Sequence, residues 1–163
     1  MMIDVVDDHD HPIGQMRRST VFSEKANFRV AHVLIFNAAG NLLIQQLSAH
    51  RERHPLKWGS SVASYIPAGE SYRGAAQTRV AEELGIPQLT LSEFGRTVMV
   101  DNGCRKFIGI FVAAFDGDVT FDARHIAAVR FASIGDLVRM AASANLTPTF
   151  LHVLRAVFSG PTE

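Results

Sequence analysis

The chain reads as an α/β layered domain, and three stretches carry that reading. Phe28 to Phe36 is almost wholly apolar, which suits a central strand covered on both faces. Residues 72 to 84 place Tyr72, Ala76, Val80 and Leu84 four apart, forming the single apolar stripe of an amphipathic helix. Two long strands are expected, Leu89 to Val100 and Arg105 to Phe115, joined by Asp101-Asn102-Gly103, an Asn-Gly hairpin signal. Strands and helices interleaved along one chain bury their apolar faces best as stacked layers.

The remaining elements fall into place in order. Ile3 to Val6 and Ile13 to Ser19 are expected to be short strands joined by the polar turn Asp7 to Pro12. Asn37 to Asn41, with Gly40 inside it, turns the chain into a strand over Leu42 to Leu47. A polar loop, Ser48 to Lys57, leads to Trp58-Gly59. Ser71 is placed to cap the helix at 72 to 84, Gly85 to stop it, and Pro87 to forbid its continuation. Val129 to Phe131 reads as a short strand. Ile134 to Ala142 and Thr149 to Phe158 read as helices, the second opened by Thr147-Pro148.

Composition sets bounds. The 163 residues suffice for one domain with a substantial core, and no repeat or Pro/Gly/Ser linker divides residues 1 to 163. Sixteen basic and sixteen acidic residues cancel, which argues against a broad nucleic-acid or anionic-membrane surface. The single cysteine, Cys104, excludes an intramolecular disulfide and fits a reducing compartment. No apolar run approaches the ~18 residues of a membrane span. The opening MMIDVVDDHDH is acidic where a secretory signal would be basic. A cytoplasmic protein is expected.

Residues 64 to 86, SYIPAGESYRGAAQTRVAEELGI, resemble the Nudix box, the signature of the Nudix hydrolases. The box reads glycine, any five, glutamate, any seven, then arginine-glutamate-aliphatic-any-glutamate-glutamate-any-glycine-aliphatic. Glu70, Val80, Glu82, Glu83, Gly85 and Ile86 match it without a gap. Ser64 stands in place of the first glycine, Thr78 in place of the arginine, and Arg79 in place of the first metal-binding glutamate. Three further blocks, VVDDHDHPIGQMRRS, HVLIFNAAGNLLIQQLS and KWGSSVASYIPAGESY, look like one Nudix branch, the nucleotide-diphosphate hydrolases related to isopentenyl diphosphate isomerase. The resemblance covers roughly Val5 to Leu137. It implies the Nudix fold, a mixed β-sheet sandwiched between α-helices.

What the resemblance implies chemically is a pyrophosphohydrolase using Mg²⁺ or Mn²⁺. A divalent cation neutralises phosphate oxygens and acidifies bound water, and Mg²⁺ prefers oxygen ligands. Positions 79, 82 and 83 are spaced i, i+3 and i+4 and so share one helix face. The family's box puts three carboxylates there; here the face carries Arg79, Glu82 and Glu83. Two readings stand side by side. In one, Glu82 and Glu83 are surviving metal ligands and catalytic residues. In the other, Arg79 pairs with both in a surface ion pair worth ~0.3–0.5 kcal/mol. Glu70, just ahead of the helix, braces the loop in the family or tunes a metal. Ser64 is compatible with the box loop if its φ stays negative.

Weaker candidates complete the set. Many Nudix enzymes take a further acid from a late loop, and here His125 or Arg124 stands near that place; His125 can act as a base at neutral pH or be a solvated loop residue. Asp7, His9 and His11 have metal-ligand chemistry but the spacing of a polar turn. Among Arg17, Arg18, Arg51, Arg53 and Lys57, Lys57 beside Trp58 is the favoured phosphate contact. Trp58 reads as core before stacking platform, and Cys104 lacks a nearby histidine. Isomerase chemistry is disfavoured: the resemblance to that enzyme implies a cysteine in the strand corresponding to Gly59 to Tyr65, and this chain has Ser60 and Ser61 and no cysteine there. The expected partner is a small-molecule nucleoside diphosphate derivative, with self-association as a homodimer open. The rival to hydrolysis is a non-catalytic Nudix-fold binder of a nucleotide, metabolite or protein.

Overall fold

A nine-residue strand, β3 (Phe28–Phe36), is the axis of the structure, a computed structural model that describes residues 1–159. It follows β1 (Met2–Val6) and β2 (Pro12–Arg17), an antiparallel hairpin that stands as a separate two-stranded sheet. The strand expected over 13 to 19 stops at Arg17, where Arg18–Thr20 tightens into a 3-10 turn. All residues from Val30 to Ile35 are buried, as a doubly covered strand requires.

One edge of β3 runs parallel to β8 (Cys104–Ala114) from Phe28↔Lys106 to Phe36↔Ala114. The other edge is divided. Its first half pairs antiparallel with β6 (Val62–Tyr65), and Phe36 at its end pairs with Leu42 of β4 (Leu42–Leu47). Ser61 fills the fork: its Oγ accepts from Ile35 N at 2.9 Å and donates to the Leu43 carbonyl. Two short strands therefore occupy the stretch around Trp58, β5 (Trp58–Gly59) and β6, parted by the buried Ser60 and Ser61. β5 and β9 (Ile126–Ala132) pair with β4, and β7 (Ser92–Asp101) pairs with β8 to complete a mixed seven-stranded sheet.

Two expectations shift at this stage. β9 is longer than the Val129 to Phe131 read from sequence, because it pairs with β4 along its full length. Residues 89 to 91 are a loop, and the strand begins only at Ser92. Pro87 offers no N–H, Gln88 sits at φ 56°, and the Leu91 carbonyl accepts from Arg73 Nη1 at 2.6 Å. The β7–β8 hairpin turns at Asn102 (φ 50°) and Gly103 (φ 80°), as the Asn-Gly pair predicts.

Helices cover both faces. α1 (Tyr72–Leu84) buries Tyr72, Ala75, Ala76, Val80 and Leu84 against Ala31, Val33, Ile35 and Phe111. α2 (Ile134–Ala142) and α3 (Pro148–Phe158) close the other face, over Phe28, Leu34, Ile108 and Ile110. Ser71 caps α1 by accepting from Gly74 N, Ser133 and Asp136 form a capping box on α2, and Thr147 caps α3. No helix among the described residues is long and apolar enough to cross a membrane.

Candidate functional site

α1 presents Arg79, Glu82 and Glu83 on the side next to β6 and β4. Arg79 Nη1 lies 4.0 Å from an oxygen of Glu82 and 4.0 Å from one of Glu83. Its Nε donates to Ser64 Oγ at 3.3 Å, while the Ser64 hydroxyl donates to the Tyr65 carbonyl at 2.6 Å. Ser64 is in strand β6 and is not among the residues with positive φ, so its Cβ is accommodated. Gln45, a buried residue of β4, donates from Nε2 to Glu83 Oε1 at 3.1 Å and to the Ser61 carbonyl at 2.8 Å. Burial pushes the Glu83 carboxyl above its ordinary range, opposed by the Gln45 amide and by the charges of Arg79 and Arg51. Glu82 is the open member, 61% exposed.

This donor set does not fit a resident divalent cation. One Glu83 oxygen receives an amide N–H and the other faces a guanidinium. Among the described residues no three His, Cys, Asp or Glu converge as metal ligands. A cation on the same carboxylates would meet Arg79 at ~4 Å, and unit charges at that distance repel by about 1 kcal/mol in water and about 4 at an effective dielectric of 20.

The other sequence candidates are scattered around this centre. Lys57 is half-buried ahead of β5; its backbone joins Leu47 and His54, and its ammonium forms no ion pair among the described residues. Arg51 is the loop cation whose charge reaches Glu83. His125 is 78% exposed, 3.8 Å from Asp122, one residue ahead of the Ile126↔Leu47 pair. Thr78 is exposed and lines a shallow groove of about 540 Å³ with Arg73, Gln77 and Leu89. Trp58 is half-buried against the core, with the Arg130 guanidinium 5.4 Å from its ring centre. Cys104 is buried, and burial raises its thiol pKa. Asp7 accepts from the backbone N–H groups of His9 and His11, the signature of a polar turn.

The loop that carries Glu70 is braced by other residues. Glu70 is exposed and its carboxylate makes no hydrogen bond among the described residues. The β1–β2 hairpin does the bracing. Asp4 accepts from Gly69 N at 3.1 Å, Met2 O accepts from Ala68 N, and Asp10 accepts from the Tyr72 hydroxyl at 2.8 Å. Asp10 also takes Arg29 and Arg96, whose guanidiniums stack on the Tyr72 ring.

A buried polar network on the opposite sheet face escaped the sequence reading. Lys106 Nζ donates to Asp101 Oδ2 at 2.8 Å and to Thr149 Oγ1 at 2.7 Å, and Arg53 grips the same carboxylate with two bonds. Burial works to raise the Asp101 carboxyl, but its bonds from Arg53 and Lys106 outweigh this and hold it low. His32 is buried and shares a proton with Ser60 at 2.7 Å; burial, helped by the Lys106 charge, pulls its pKa to about 3. A signal existed: two polar residues, His32 and Lys106, sit at inward positions of apolar strands.

The NUDIX domain model matches residues 26–153. The chain belongs to the Nudix family. It is 30% identical over 150 residues to an uncharacterized Nudix hydrolase of Pseudomonas aeruginosa, covering 92% of this chain and 89% of that protein. Further relatives are named isopentenyl-diphosphate Delta-isomerase. The fold is shared with DR0079 of Deinococcus radiodurans at a TM-score of 0.83 and 20% identity, over 95% of this chain and 98% of that one. It is also shared with the NUDIX domain of Shewanella oneidensis NrtR, solved with ADP ribose, at a TM-score of 0.64 and 14% identity, over 86% and 96% of the two chains. The expected fold class, a mixed sheet between helices, is thereby met. Nudix proteins generally employ divalent cations, which makes the arginine among these glutamates the feature to explain.

Proposed function

We propose that this Nudix protein binds a nucleoside diphosphate linked to a further moiety and hydrolyses it at below about 1 s⁻¹, under the usual range for working enzymes. One observation carries the reading: a guanidinium lies 4.0 Å from both Glu82 and Glu83, at the position where the Nudix box supplies a third carboxylate. The fold supports the ligand class, since an NrtR domain of the same fold was solved with ADP ribose. The test is a hydrolysis assay over ADP-ribose and related nucleoside diphosphate compounds with Mg²⁺ or Mn²⁺. Turnover of ~1 s⁻¹ or more overturns the reading.

A second reading, ordinary metal-dependent hydrolysis, is favoured by the openness of the contact. Glu82 is 61% exposed and 4.0 Å is the outer limit of an ion pair, so breaking the Arg79–Glu82 contact costs about 0–1 kcal/mol, the Ser64 bond apart. Glu82 and Glu83 would then hold Mg²⁺ or Mn²⁺ and carry catalysis, with Lys57 available to a phosphate. Calorimetric titration of Mn²⁺ separates the two readings.

A further inference from the structure

We propose that Arg79, anchored by Ser64, is the resident cation of this site, so that the chain binds a diphosphate-bearing ligand without a divalent metal. The proposal rests on the binding reading above and adds what holds the ligand. Three observations converge. Arg79 Nη1 lies between Glu82 and Glu83, 4.0 Å from an oxygen of each. Its Nε is fixed by the Ser64 hydroxyl, an acceptor that a glycine at this position would not provide. Its terminal nitrogens form no hydrogen bond among the described residues, and the side chain is 31% exposed.

The charge balance supports the same conclusion. Arg79 lies beside both carboxylates and Arg51 adds a second positive charge acting on Glu83, so an incoming phosphate does not meet an unopposed carboxylate pair. A guanidinium presents its N–H groups as a planar fork that matches two phosphate oxygens. Held at one end by Ser64 and flanked by two carboxylates, that fork loses little side-chain freedom when a ligand arrives. Ser64 and Arg79 thus act together, although fifteen positions separate them in the chain.

The experiment titrates Mn²⁺ alone, and then ADP-ribose with Mn²⁺ or with EDTA, into the full chain and its variants. The expected results are no Mn²⁺ binding below about millimolar and equal ADP-ribose affinity in both buffers. Arg79→Ala should weaken ADP-ribose binding by about tenfold or more, equivalent to ~1.4 kcal/mol. Arg79→Lys should recover only part of it, because an ammonium lacks the fork. Ser64→Gly should weaken it less, by about threefold. Arg79→Glu should gain Mn²⁺ binding and lose ADP-ribose binding in EDTA. Wild-type binding of ADP-ribose that requires Mn²⁺ overturns the proposal while leaving the ligand reading intact. Failure of ADP-ribose to bind in either buffer overturns that reading, and this proposal with it. Affinity unchanged in a folded Arg79→Ala protein overturns the proposal alone.

Discussion

Ser64 Oγ accepts a hydrogen bond from Arg79 Nε, so two of the three departures from the Nudix box touch each other. The serine costs nothing sterically in its strand, and the cation it receives stands where the box has an anion. Together they make one bonded unit between strand β6 and helix α1. A double-mutant cycle of Ser64→Ala and Arg79→Ala, read by urea unfolding, is expected to show a coupling of about 0.5–1 kcal/mol. Additivity within ~0.3 kcal/mol would mean that the two residues are merely neighbours.

His32 makes stability depend on acid in a stated direction. Its folded pKa is about 3 against an ordinary 6.5, so between these values the unfolded chain binds a proton that the folded chain does not. The stabilisation is complete above pH ~6.5 and is lost as pH falls toward 3, at up to about 1.4 kcal/mol per pH unit from this group. Unfolding curves between pH 6.5 and 5 should slope accordingly, and His32→Gln should flatten them even if it lowers stability throughout. An unchanged slope in the variant would assign the acid sensitivity to other groups.

Gly85 ends α1 at φ 65°, and a Cβ there would run into the Thr120 hydroxyl. Gly85→Ala is expected to destabilise by ~1–2 kcal/mol for the left-handed backbone, with more from the collision. Adding Thr120→Gly should remove the collision and leave the backbone cost. If both variants unfold at the same denaturant concentration, the loop at Thr120 yields freely.

Asp10 receives Arg29, Arg96 and the Tyr72 hydroxyl with its own side chain only 10% exposed. Asp10→Ala leaves two guanidiniums without their carboxylate, and a loss of about 3 kcal/mol is expected from thermal or urea unfolding. A loss below ~1 kcal/mol would show that water replaces the carboxylate at little cost.

How much was readable in advance depended on how far each residue's partners lie along the chain. α1 was readable because its stripe, cap and stop are local, and Arg79, Glu82 and Glu83 share a face by spacing alone. The turn at Asn102-Gly103 was readable for the same reason. Gln45 was not: its hold on Glu83 spans 38 positions and exists only because the fold brings β4 beside the end of α1. Nor was Lys106: its burial is tolerable because Asp101 pairs with it and Thr149, 43 positions on, accepts from it. Leu89 to Leu91 has the composition of a strand, but Gln88 turns the chain and Arg73 occupies the Leu91 carbonyl. Ser60 and Ser61 fall in the strand expected over Gly59 to Tyr65, but they interrupt it: one satisfies a buried histidine and the other closes the fork between β3 and β4.

The first hairpin gives the domain a hidden dependence on its own leading edge. The stretch recognised as the NUDIX domain begins at residue 26, downstream of both Asp4 and Asp10. A fragment cut at that boundary would keep every box residue, and yet it would leave Gly69 N unpaired and the Tyr72 hydroxyl without its acceptor. Arg29 and Arg96 would face each other across an exposed ring with no anion between them. The segment that lies ahead of the recognised domain is, mechanically, the clasp on the loop that launches the helix bearing Arg79, Glu82 and Glu83.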